Sequence, residues 1–190
     1  DYKYSQLKIN QMLVDNAYQY GSVVRLKGGD PYVFGRGAEE VEFVESFGVE
    51  TEMISGISSA LAVPASQGIS LTKRGVSQSF WVITGTTSNG DRSKDIVLAA
   101  QSTATIVVLM GLRNVVSIIN EIKKYRHKHT PFAIIQNGTL PNEMILIDTI
   151  ANYKNVVDAI DFNAPGIIVI GDVVADHPSF LEEEIQRVLE

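Results

Sequence analysis

Val23-Val24-Arg25-Leu26-Lys27-Gly28-Gly29-Asp30-Pro31-Tyr32-Val33-Phe34-Gly35-Arg36-Gly37 is the run on which the fold reading turns. Its first part, residues 22–26, is short and rich in β-branched side chains, with Gly21 before it and Gly28 after it. That pattern predicts a buried strand. Gly28, Gly29, Asp30 and Pro31 then predict a sharp turn, because adjacent glycines allow φ > 0 and leave backbone N–H and C=O groups bare. Pro31 fixes its own φ and biases Asp30 towards an extended conformation. In an open α/β sheet, a loop at the carboxyl end of a strand is where ligands sit. Read alone, a four-residue glycine turn is equally the plain connection between a strand and a helix.

Outward from this run the chain alternates strands with helices. Apolar residues at helical spacing predict a helix over 5–20, stopped by Gly21, and a second over 38–47, capped by Gly48. Glu39 and Glu40 fall in the first turn of the second helix, where they complement its dipole. Residues 49–54 alternate apolar and polar and predict a strand, followed by a helix over 60–66 that Ser58 or Ser59 caps. Residues 69–77, with Thr72-Lys73-Arg74-Gly75, read as a linker. Beyond it come strands at 78–85, 105–110, 132–136, 144–147 and 166–171 and helices at 95–100, 114–125, 149–160 and 180–189. Asn114 and Thr149 are the expected caps of two of those helices, and Asn137-Gly138 predicts a tight turn. Strands dense in Val and Ile, alternating with helices, indicate an α/β protein.

Composition sets outer limits. The chain has 190 residues, 45% hydrophobic and 20% charged, enough for one large or two small cores. A formal net charge of −6 argues against nucleic acid or an anionic membrane as the main partner. There are no cysteines, so no disulfide or thiolate metal site, in keeping with a reducing compartment. No apolar run reaches the ~18 residues of a membrane span, and residues 1–10 lack signal-peptide character. A cytoplasmic protein is expected. His127, His129 and His177 match no metal-ligand spacing.

The quoted run resembles the hallmark of the uroporphyrinogen-III C-methyltransferases, within the tetrapyrrole methylase family. The likeness continues through Glu39-Glu40, Ser55-Gly56-Ile57-Ser58-Ser59-Ala60-Leu61-Ala62, Thr72-Lys73-Arg74-Gly75, Val108-Leu109-Met110-Gly111-Leu112 and Asn137-Gly138-Thr139, in the family's order. It implies a two-lobed fold, each lobe a β-sheet flanked by helices, with a ligand cleft between them. Residues 1–75 would belong to the N-terminal lobe and its linker, and 76–190 to the C-terminal lobe. It implies S-adenosyl-L-methionine as methyl donor, S-adenosyl-L-homocysteine as product, and C-methylation of uroporphyrinogen III to precorrin-2 on the path to sirohaem or cobalamin. Family members are homodimers. The donor would meet Gly28, Gly29, Asp30, Val33, Ser58, Ser59, Met110 and Gly138. Arg36 and Arg74 would face the substrate's carboxylates, although a solvated arginine is the alternative at each. Met110 reads as core on periodicity alone.

The resemblance also marks departures. Ser55 stands where the family has proline, and Lys73 where it often has histidine. The family carries an upstream segment with a first strand, a Gly-Pro-Gly-Asp loop and its proposed proton-handling groups, while this sequence opens at Asp1-Tyr2-Lys3-Tyr4. A fragment of a longer protein, or a sequence given without its first residues, is therefore expected, and no catalytic residue is named. Two alternatives stay open: a non-catalytic remnant that only dimerises or binds S-adenosyl-L-homocysteine, and a related methylase acting on a later precorrin.

Overall fold

The computed structural model describes residues 4–87 and 89–181. The chain divides into two compact units, Asp1–Ser58 and Ser59–Glu190. The expected helix at 180–189 lies almost wholly outside the described residues.

The first unit is built on two helices. Helix α1 spans Gln6–Tyr20; the Ser5 side chain accepts from the Lys8 N–H at its start, and left-handed Gly21 (φ 78°) ends it. Helix α2 spans Gly37–Glu45 and packs on α1. Val14 and Val44 are the buried aliphatic side chains among the described residues of this unit, joined by buried Asn10 and Glu40. The expected strands at 22–26 and 49–54 are not formed: neither run has regular secondary structure or lies in a ladder among the described residues. A strand is defined by a hydrogen-bonded neighbour, not by side-chain type alone. Val24, Leu26 and Ile54 turn outward, at least three-quarters exposed.

The second unit is a five-stranded mixed sheet covered on both faces. Its strands are β1 Phe80–Thr84, β2 Thr105–Leu109, β3 Pro131–Gln136, β4 Met144–Thr149 and β5 Gly166–Ile170, in the order β1-β2-β5-β3-β4. β1 and β2 are parallel, joined through helix α4 (Asp95–Gln101), and the remaining neighbours are antiparallel. A parallel pair needs such a crossover, whereas β3 and β4 form a hairpin.

The period-two alternation of β2, β3 and β5 sorts their side chains into two apolar layers. Ile106, Val108, Phe132, Ile134, Ile168 and Ile170 pack with α4, α5 (Val115–Ile122) and α6 (Tyr153–Asp158). Val107, Leu109, Ala133, Ile135, Ile167 and Val169 pack with helix α3, Ser59–Ser66. Ala60 and Val63 of α3 are buried in that layer, so α3 counts with this unit. All six residues of β3 and all five of β2 are buried, as expected of strands covered on both faces.

Two expected caps do not form. Neither Asn114 nor Thr149 caps with its side chain, and each of the expected long helices begins as a short 3-10 turn. The Asn114 amide donates instead to the Gly85 carbonyl and the Thr86 hydroxyl, tying the end of β1 to the segment after β2. No helix among the described residues is long and apolar enough to cross a membrane.

Candidate functional site

The loops with ligand chemistry fall into two groups, one in each unit. In the first unit, Gly28-Gly29-Asp30-Pro31 bends without the left-handed glycines expected there: neither Gly28 nor Gly29 has a positive φ. The Asp30 side chain makes the bend, with Oδ1 accepting the Tyr32 N–H at 2.8 Å. The Val33 N–H reaches the Asp30 carbonyl at 3.4 Å, and the left-handed φ values come later, at Phe34 (53°) and Arg36 (59°).

The second carboxylate oxygen, Asp30 Oδ2, accepts the Gly56 N–H at 3.1 Å and so joins this loop to the 55–58 turn. A Cβ on Gly56 would lie 2.6 Å from the Gly29 carbonyl oxygen, so only glycine lets the two backbones pack this closely. Each Asp30 oxygen thus accepts one of the protein's own amides. Gly28 differs: a Cβ there would meet nothing within 4 Å. The backbone at Gly28 is open, as a ligand-facing position requires. Val33 is also exposed, at 40%.

Beneath this loop the polar groups converge on Glu40, which is 4% exposed. Lys27 Nζ donates to its Oε2 at 2.8 Å, while Gln6 Nε2 and Arg25 Nη2 reach Oε1 at 2.9 and 3.3 Å. Burial pushes the Glu40 carboxyl upward, but the Lys27 and Gln6 hydrogen bonds and the charges of Arg25 and Lys27 prevail and hold it below the ordinary carboxylate range. The segment leading into the loop is therefore anchored through its two cations, Arg25 and Lys27. The sequence reading, which saw Glu39 and Glu40 only as complements to a helix dipole, missed this. Glu39 instead accepts from Arg36 Nε at 3.0 Å, and that contact raises the Arg36 pKa. Arg36 is exposed but paired within its own helix turn.

In the second unit, the strand directions bring two expected donor contacts to one edge of the sheet. β2 and β3 both run antiparallel to β5, so their carboxyl ends lie on the same edge, with Gly166 at the start of β5 between them. Met110 follows β2 and Gly138 follows β3 by two residues. Met110 is 54% exposed with φ 54°, and its carbonyl accepts from the Thr86 hydroxyl. It is not the core residue that periodicity alone suggests.

Gly138 sits between left-handed Asn137 (φ 51°) and Thr139 (φ 68°). A Cβ on Gly138 would come within 2.4 Å of Val63 Cγ1 on α3. Ser59, the first residue of α3, is exposed; Ser58 precedes it, half-buried. Arg74 is exposed in the 73–77 turn, where its neighbour Lys73 pairs with Asp176 at 2.7 Å. A separate groove of about 540 Å³, lined by Arg92, Arg113, Asn114, Glu121 and Lys124 among others, contains none of the expected site residues.

In the second unit, strand-end loops meet at one end of a mixed sheet, which is where an α/β protein places its ligand loops. Comparison with known proteins gives the family. Residues 3–153 match the family described as Tetrapyrrole (Corrin/Porphyrin) Methylases, and the chain belongs to it. It is 39% identical over 175 residues to a uroporphyrinogen-III C-methyltransferase of Methanocaldococcus jannaschii, covering 91% of this chain and 72% of that protein. It is 39% identical over 174 residues to a siroheme synthase of Blochmanniella pennsylvanica, of which it spans 36%. Among solved structures, the uroporphyrin-III C-methyl transferase of Thermus thermophilus in complex with S-adenosyl homocysteine superposes with a TM-score of 0.77 at 32% identity. That match covers 89% of this chain and 74% of the other.

Proposed function

We propose that this chain is a methyltransferase that uses S-adenosyl-L-methionine to C-methylate uroporphyrinogen III, giving precorrin-2 for sirohaem or cobalamin synthesis. The observation that carries the reading is the shared sheet edge: Met110 and Gly138, two expected donor contacts, follow the ends of strands that run the same way, and Ser59 opens the helix packed against Gly138. The open backbone at Gly28 is of the same kind, since no atom of the chain fills the space its side chain would take. Kinship supplies the ligand: the Methanocaldococcus jannaschii and Thermus thermophilus relatives named above are methyltransferases, and the Thermus structure holds S-adenosyl homocysteine.

The donor arrives activated, so its sulfonium methyl passes to a pyrrole carbon while the C–S bond breaks and the ring then sheds a proton. What this chain's residues contribute is alignment and the exclusion of water. The Gly28 and Gly29 backbone, Asp30, Val33, Ser58, Ser59, Met110 and Gly138 would hold the donor. Arg36 and Arg74 would meet carboxylates of the tetrapyrrole. We further assign the active form to a cytoplasmic homodimer, on the family resemblance. Incubation with the donor and uroporphyrinogen III, followed by mass spectrometry of the tetrapyrrole, tests the reading. Dimethylated product is expected; an unmodified tetrapyrrole alongside methylation of a later precorrin would overturn it.

A further inference from the structure

We propose that Glu143 is a positioning residue for the methyl donor, a role that rests on the donor reading above. Its carboxylate clamps the turn holding Gly138 against the end of helix α3 and so fixes two donor contacts, Gly138 and Ser59, relative to each other. The turn needs a clamp. Asn137 and Thr139 are both left-handed, and for β-branched Thr139 that conformation is an outlier which surrounding structure must enforce.

Three donors meet on Glu143. The Thr139 N–H reaches Oε2 at 2.5 Å, the Ser66 hydroxyl lies 3.2 Å from the same oxygen, and the Gln67 side-chain amide donates to Oε1. Ser66 is the last residue of α3 and Gln67 follows it, so one carboxylate binds the turn on one side and the helix end on the other. The Glu143 N–H donates to the Leu140 carbonyl at 2.9 Å and the Leu140 N–H to the Asn137 carbonyl at 2.9 Å, so the carboxylate's own backbone belongs to the turn. Charge-assisted bonds of this kind are stronger than neutral ones. Gly138 meanwhile lies so close to Val63 that the turn has no room to move towards α3. The apolar contact sets the near limit of the turn, and the carboxylate keeps it from swinging away. Ser59 opens the same eight-residue helix whose last residue the carboxylate holds, so the clamp ties Ser59 to the turn through α3.

Calorimetry with S-adenosyl-L-homocysteine on wild type, Glu143→Ala and Glu143→Gln tests this. Loss of the clamp is expected to weaken binding about tenfold in Glu143→Ala, the equivalent of one lost charge-assisted hydrogen bond, with rescue to within about threefold in Glu143→Gln. The Michaelis constant for the donor should rise while that for the tetrapyrrole stays put, a split that a merely structural loss would not give. Equal affinity in wild type and Glu143→Ala overturns the proposal. If Glu143→Ala does not fold, Ser66→Ala/Gln67→Ala removes the helix side of the clamp alone, and unchanged affinity there overturns it equally. A wild-type protein that binds no S-adenosyl-L-homocysteine refutes the donor reading instead. The clamp is then read from amide exchange at Thr139, which must speed up in Glu143→Ala or the clamp is refuted too.

Discussion

The two units hold their loops by different means. In the second unit, a sheet with an apolar layer on each face fixes the strand ends, and the loops inherit their positions from the register of β2, β3 and β5. In the first unit, two aliphatic side chains are buried among the described residues, and polar contacts do the holding: Glu40 gathers Gln6, Arg25 and Lys27, while Asp30 ties two turns together. An apolar layer tolerates volume-conserving exchange, because hydrophobic contact has no direction and many side chains share it, but an emptied site leaves a costly cavity. A buried carboxylate does not tolerate even such exchange: its removal takes the acceptor from Lys27, Arg25 and Gln6 in one step.

The largest expected effect lies in the apolar unit. Ile168 is fully buried at the centre of the sheet, and Ile168→Ala should cost about 4 kcal/mol through lost burial and a cavity. Denaturant melts of the second unit check this, and a loss under about 1 kcal/mol would mean the layer collapses to fill the gap. Next comes Glu40→Ala, which should cost about 2 kcal/mol by leaving Lys27, with 12% side-chain exposure, and Arg25 without their acceptor.

The same carboxylate makes an acid prediction. Its folded pKa lies below the unfolded value, so its contribution is fully present above the ordinary carboxylate range near pH ~4.3 and is lost as the pH falls through the lowered folded value. Glu40→Gln should flatten that part of the stability–pH curve. An unaltered acid limb would show that Glu40 is not the group responsible.

This contrast also explains how far the sequence could be read. The second unit was legible almost throughout, because runs such as Thr105–Leu109 and Gly166–Ile170 state their burial in their own composition. Helix α1, with Ser5 and Gly21 at its ends, was equally plain. The β-branched runs 22–26 and 49–54 read as strands but are not, because strand propensity is local whereas a ladder partner is not. Asn114 was misread as a cap for a related reason: its true acceptors, Gly85 and Thr86, are nearly 30 residues away.

The site divides the same way. The family likeness alone points to the glycines and Met110 as proposed donor contacts, and the strand directions account for why Met110 and Gly138 share an edge. The groups that hold the loops could not. Glu40 draws on partners 13 to 34 residues distant, and Glu143 is one acid in a polar loop whose helix donors lie 76 and 77 residues back. The one signal available for Glu143 was its place four residues after Thr139 in a turn rich in Asn and Gly.

The smallest expected effect on stability is the most telling for function. A Cβ at Gly28 starts in open space, and no positive φ forbids a side chain there, so Gly28→Val should leave the thermal midpoint almost unchanged. The measurement to make is titration of S-adenosyl-L-homocysteine into wild type and Gly28→Val, with melting curves of both. Binding by the wild type, abolished in a variant that melts normally, is the predicted result. Equal affinity in the two proteins would contradict the claim that the Gly28 backbone receives the methyl donor, and would leave this loop a turn and nothing more.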